Sequence, residues 1–132
     1  MRKYEFPADI LYTEEHEWIR ITGNIGDCGI TDYAQKSLSD IVYVELPEIG
    51  REVKKGEVVC TIESVKAVSD VFSPVDGVIN GTNERLKQEP NLINQSPYGE
   101  GWIFRIEIKG NKEGLLSSEE YQKLIERIEG SR

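Results

Sequence analysis

The chain has 132 residues, two cysteines and a formal net charge of −8. That length suits one domain with its own hydrophobic core, and 38% hydrophobic residues argue against disorder. The acidic balance disfavours nucleic acid and anionic membrane surfaces and suits docking onto proteins with basic patches.

The first ten residues, MRKYEFPADI, lack a signal-type apolar stretch, and no run reaches transmembrane length; a cytoplasmic location is expected. Trp18 to Thr22 alternates and predicts a strand, and Gly23-Asn24 turns it into a partner over Ile25 to Ile30. A short helix follows from Asp32 to Leu38, with Thr31 as N-cap and Asp32 at the positive end of its dipole. Asp40 to Leu46 is β-prone, and PEIG (Pro47 to Gly50) is a turn. Val53 precedes a second turn, KKGE; Val58 to Ile62 and Ala67 to Phe72 read as strands. PVDG (Pro74 to Gly77) turns into a strand over Val78 to Thr82. Asn83 to Gly101 is polar, with a helical turn expected at Glu84 to Lys87 and loop elsewhere. Trp102 to Ile108 alternates as the last strand. Ser117 and Glu120 form a capping box, with Leu116 and Tyr121 at the staple positions, opening a helix over about 117–129 that Gly130 ends. Tyr121, Leu124, Ile125 and Ile128 give it one apolar stripe, expected to dock onto the sheet. A single domain, 1–132, is expected, with a hairpin at about 58–72.

Cys28 and Cys60 form no CxxC pair and are expected to be small, half-buried apolar side chains without a redox role. Asn80 and Asn94 fit the glycosylation acceptor pattern without secretory context. No nucleophile–base pair, metal-ligand cluster or phosphate loop is visible, and the lone His16 has no nucleophile motif beside it.

The stretch CTIESVKAVSDVF (Cys60 to Phe72) places Lys66 between two strand-like runs. Antiparallel pairing of those runs lifts Lys66 to a tip, where an amine on a rigid anchor suits covalent attachment of a swinging group. An exposed turn lysine kept for solubility explains the same pattern, and Lys54 and Lys55 in KKGE are not excluded. A Schiff-base lysine needs a depressed pKa; the flanking Glu63 and Asp70 favour the charged amine instead.

The motif ESVKA (Glu63 to Ala67) resembles the lipoylation motif of the glycine cleavage system H protein family. HEW (His16 to Trp18), GITDYAQ (Gly29 to Gln35), DIVYVELPEIG (Asp40 to Gly50), SPVDG (Ser73 to Gly77), NERL (Asn83 to Leu86), PNLIN (Pro90 to Asn94) and SPYGEGW (Ser96 to Trp102) extend the resemblance in the family's order. The resemblance implies a mainly β, lipoyl-type flattened barrel or sandwich with short helices. It implies lipoic acid in amide linkage on Lys66, with Glu63, Ser64, Val65 and Ala67 recognised by lipoylating enzymes. It implies a non-catalytic carrier serving three partners: a PLP-dependent decarboxylase (P protein), a tetrahydrofolate-dependent aminomethyltransferase (T protein) and dihydrolipoyl dehydrogenase (L protein). Glu17 and Asp70 match the family's cleft, where a loaded, cationic arm would be sheltered. His16 is read as structural or cleft-rim, and Trp18 and Trp102 as core or cleft wall. An H-like lipoyl carrier in another pathway and an unmodified interaction module remain the alternatives. A biotin carrier fits less well, because Val65 and Ala67 stand where methionines normally flank the biotinylated lysine.

Overall fold

The computed structural model describes residues 3–130. Among the described residues, nine strands form two antiparallel sheets. The larger has the order β1-β2-β3-β9-β8-β5, from β1 (Leu11–Tyr12), β2 (Glu17–Thr22), β3 (Ile25–Ile30), β9 (Phe104–Gly110), β8 (Asp76–Thr82) and β5 (Glu52–Val53). The smaller has the order β4-β6-β7, from β4 (Ile41–Glu45), β6 (Val58–Ser64) and β7 (Val68–Phe72). The described residues also form α1 (Asp32–Leu38), α2 (Leu92–Gln95), α3 (Ser118–Gly130) and a 3-10 turn at Glu84–Lys87. This is the sandwich of small sheets that the resemblance implies. No helix among the described residues is long and apolar enough to cross a membrane.

The inner faces of the two sheets meet in one aliphatic core. Ile19, Cys28, Ile79, Phe104 and Ile106 of the larger sheet are buried with Val44, Cys60, Ile62 and Val71 of the smaller. A second, aromatic cluster gathers Tyr4, Tyr12, Trp18, Tyr33, Tyr121 and Ile125. Trp18 and Ile19 are neighbours on β2, so they point to opposite faces, yet both are fully buried. The outer face of β2 is therefore covered. Over Trp18 the lid is the Pro97–Tyr98 loop, which takes the Trp18 Nε1–H on the Pro97 carbonyl and sets the Tyr98 ring 6.0 Å from the indole. The helix α3 and the N-terminal segment cover neighbouring β1, where Tyr121 stacks on Tyr12 at 4.7 Å and Phe6 packs edge-on against Tyr121. The stripe of α3 thus docks through an aromatic layer, with Leu124 and Ile128 only half-buried.

Local signals account for most element ends. Thr31 Oγ1 accepts from Ala34 N at 3.2 Å and caps α1. Ser117 Oγ accepts from Glu120 N while Ser117 N donates to the Glu120 carboxylate, completing the capping box. Gly23, at φ 64, makes the tight β2–β3 connection.

Several elements differ from expectation. The last strand begins at Phe104; Trp102 precedes it, half-buried under the Arg105 guanidinium 4.7 Å from its ring. β8 starts at Asp76, inside the expected PVDG turn. The strands β1 and β5 and the single-turn α2 were not expected; each is so short that tertiary pairing or burial, not local pattern, makes it. Cys28 and Cys60 are fully buried, not half-buried, because both face the inter-sheet core. Burial pushes the Cys60 thiol up to about 12 and the Cys28 thiol higher than an ordinary cysteine, and both are free.

Candidate functional site

β6 and β7 pair in register Thr61↔Asp70, Ile62↔Ser69 and Glu63↔Val68, and a four-residue turn from Ser64 to Ala67 closes them. Ser64 builds this turn. Its N–H donates to the Ala67 carbonyl at 2.8 Å. Its Oγ accepts from Lys66 N at 3.2 Å and Ala67 N at 3.1 Å. Val65 N donates to the Asp40 carbonyl at 3.0 Å, tying the turn to the start of β4. The main chain under Lys66 is thus fixed from two sides. The Lys66 side chain is exposed and makes no hydrogen bond or ion pair among the described residues.

The other two candidate lysines sit differently. Lys55 is half-buried and donates its ammonium to the Pro74 carbonyl at 3.0 Å. Lys54 lies in an exposed turn beside Glu57, whose carboxyl is held below the usual range, first by the Lys54 N–H and then by the Arg51 guanidinium.

Glu17 lies beside the end of β7 that is far from the tip. It is the first residue of β2 and only 2% exposed. Thr13 Oγ1 donates to its Oε1 at 2.6 Å, and Phe72 N donates to its Oε2 at 3.2 Å. The carboxylate therefore ties the β1–β2 turn to the end of the Lys66 hairpin. Burial pushes its pKa from 4.5 up to about 7; the hydrogen bonds from Thr13 and Phe72 oppose that shift. Glu17 lines a cavity of about 280 Å³ with Glu14, Glu15, Lys55, Phe72 and Ser73. The turn that delivers it is strained: His16 has φ 71, outside the ordinary range for a side-chain-bearing residue. His16 is held there by Nδ1, 2.9 Å from the Tyr121 hydroxyl, and burial lowers its pKa.

Asp70 is exposed on β7, opposite Thr61, and is not among the residues lining that cavity. The two residues are thus separated by the last turn of strand: Glu17 meets the backbone of Phe72, two positions beyond Asp70. Trp18 belongs to the aromatic cluster, donating Nε1–H to the Pro97 carbonyl at 3.0 Å. The Tyr98–Gly101 loop gains a structural reason. The Tyr98 hydroxyl accepts from Asp32 N and donates to the Glu5 carbonyl, while Gly101 lies against the α2 backbone. Sequence reasoning missed Thr13 and the turn-building role of Ser64. Nothing marks Thr13 in advance, because a carboxylate opening a strand ordinarily faces water.

A family model described as glycine cleavage H-protein matches residues 10–128. The chain belongs to this family. An H-protein is a carrier subunit of the glycine cleavage system and not itself a catalyst. The glycine cleavage system H protein of Thermotoga maritima is 54% identical over 85% of this chain and 92% of its own length. That of Carboxydothermus hydrogenoformans is 50% identical over 91% of this chain and 94% of its own. A crystal structure of the H protein from Mycobacterium marinum superposes with a TM-score of 0.83 at 38% identity, covering 89% of this chain and 96% of that one. The two-sheet architecture with its added helices is therefore the H-protein fold.

Proposed function

We propose that this H-protein is lipoylated on Lys66 and shuttles the aminomethyl group of glycine. On this reading it is loaded by the P protein, unloaded by the T protein and reoxidised by the L protein. The supporting observation is the Lys66 amine, which is rooted in a turn fixed by Ser64 and Asp40 yet is itself unbonded among the described residues. Such an amine fits an acyl group: amide formation there breaks no ion pair and displaces no packing. When attached, the dithiolane supplies a disulfide that can accept the aminomethyl carbon and leave as a dithiol. The chain itself supplies presentation, shelter and a high effective concentration at each partner.

Shelter is the role we assign to Glu17 and Asp70. The run from Lys66 to Phe72 spans roughly 20 Å of extended chain. A bare lysine side chain is too short for that distance, so only a lengthened arm could return its end toward the cavity. A cationic amine arriving there would meet a carboxylate already buried and oriented by Thr13 and the Phe72 N–H. Asp70 lies along the same strand and adds negative charge on the way.

Intact-mass measurement of chain produced in lipoate-replete cells tests the attachment. Wild type should carry the lipoyl increment, and Lys66→Arg should lack it. An increment that survives in Lys66→Arg, or is lost in Lys54→Arg or Lys55→Arg, would move the attachment elsewhere.

A further inference from the structure

The outer face of the smaller sheet carries apolar side chains that presentation of Lys66 alone does not require. β4 has a bulge: Ile41 pairs with Ser64 but Tyr43 pairs with Glu63, leaving Val42 extra. A bulge re-aims side chains. Here Val42 and Tyr43 both leave the core, 51% and 53% exposed, while Ile41 and Val44 stay buried. Residues directly opposite share a face, so Tyr43, Glu63 and Val68 form one row across the three strands. Val68 is 67% exposed, and Val65 in the turn is 65% exposed. The apolar group sits on two edge strands, β4 and β7, where exposed apolar surface is an association hazard.

Within the three strands the charge has one sign, and the Lys87 that lines a cavity beside Tyr43 and Glu45 is paired with Glu84. The strands β4, β6 and β7 contain Glu45, Glu63 and Asp70 and no lysine or arginine. With Asp40, residues 40–46 and 58–72 hold four carboxylates against Lys66 alone. None of the four is in an ion pair among the described residues.

We propose that Val42, Tyr43, Val65 and Val68, with this acidic rim, are the docking face for the enzyme that acylates Lys66. The partner presents an apolar patch bordered by lysines or arginines. This rests on the carrier reading and adds β4 to the recognition surface. Reach decides the occupant. The unmodified lysine has only a four-carbon stem, so its acylating enzyme must bring its own surface against the strands at the root of the tip. Enzymes that act on the finished arm work at its distant end and do not need that contact. The rim selects a cationic border and accelerates encounter at low salt.

The test uses the full-length unmodified chain with a lipoate ligase, lipoic acid and ATP. Amide formation at Nζ is followed by intact mass while ATP is cleaved to AMP and pyrophosphate. The double variant Tyr43→Ser with Val68→Ser should raise KM about tenfold and move kcat less. Tyr43→Phe should keep the wild-type KM. Glu45→Lys should raise KM and flatten its salt dependence, which a purely structural role would not do. Thermal unfolding of each variant checks the fold. An unchanged KM in a folded double variant overturns the proposal. So does loss of a homodimer in sedimentation with KM unmoved, because the face then serves a second copy. A wild-type chain that is never acylated refutes the carrier reading instead.

Discussion

Replacing Glu17 by glutamine should abolish a specific pH dependence of stability. The folded carboxyl has its pKa pushed up to about 7 by burial, against an ordinary value of 4.5. The native state therefore holds the proton more tightly than the unfolded chain between those two pH values. Stability linked to this group is fully present below about pH 4.5, falls as pH rises toward 7, and is flat above. The gap between about 7 and 4.5 corresponds to roughly 3 kcal/mol. Glutamine is neutral throughout and nearly isosteric. Its amide oxygen can accept from Phe72 N, and its NH₂ can donate to Thr13 Oγ1. Urea unfolding from pH 4.5 to 8.5 on both proteins isolates the effect, since every other titrating group cancels in the difference. Wild type should lose about 3 kcal/mol relative to Glu17→Gln across that range. A difference that is flat to within about 0.5 kcal/mol would refute the assignment of a buried, destabilised carboxylate. The same group links to carriage. A cationic cargo beside Glu17 favours its ionised form, so the carboxyl measured by carbon NMR should titrate lower in the aminomethyl-loaded chain than in the unloaded one.

Three further outcomes follow from particular contacts. Ser64→Ala removes the acceptor of the Lys66 and Ala67 N–H groups; it should cost about 1 kcal/mol or less, since water can replace the hydroxyl at an exposed turn, and should speed amide exchange at those two residues selectively. Gly101→Ala places a Cβ 2.6 Å from the Leu92 carbonyl oxygen and 2.7 Å from the Ile93 Cα, both backbone atoms that cannot swing aside; we expect a loss of about 2 kcal/mol in chemical denaturation. Asp70→Asn should shorten the lifetime of the aminomethyl-loaded chain, followed by mass, without preventing lipoylation; an unchanged lifetime removes Asp70 from the sheltering role.

The sequence made the hairpin legible because its signals are local. Val58 to Ile62 and Ala67 to Phe72 are two strand-like runs with only four residues between them, which suits a hairpin, and Thr31 and Ser117 announce their helices through their own side chains. Where two layers cover one strand, the same rules mislead. Trp18 and Ile19 are both buried because the Pro97–Tyr98 loop lies over Trp18, a fact about packing 79 residues downstream. Glu17 is the sharper case. Its residue type and its HEW motif were readable, but its raised pKa comes from burial, and the two donors that oppose the rise are Thr13 and the main-chain N–H of Phe72, 55 residues away. A backbone donor leaves no mark in composition, since every non-proline residue has one. The register of β7 selects which N–H arrives at Glu17, and that register is set by pairing with β6 from Val58 to Glu63. The strand that raises Lys66 at one end thus also orients Glu17 at the other. A shift of one residue in that pairing would turn Asp70 inward and remove the Phe72 N–H from Glu17 together, so tip and cavity stand or fall as one unit.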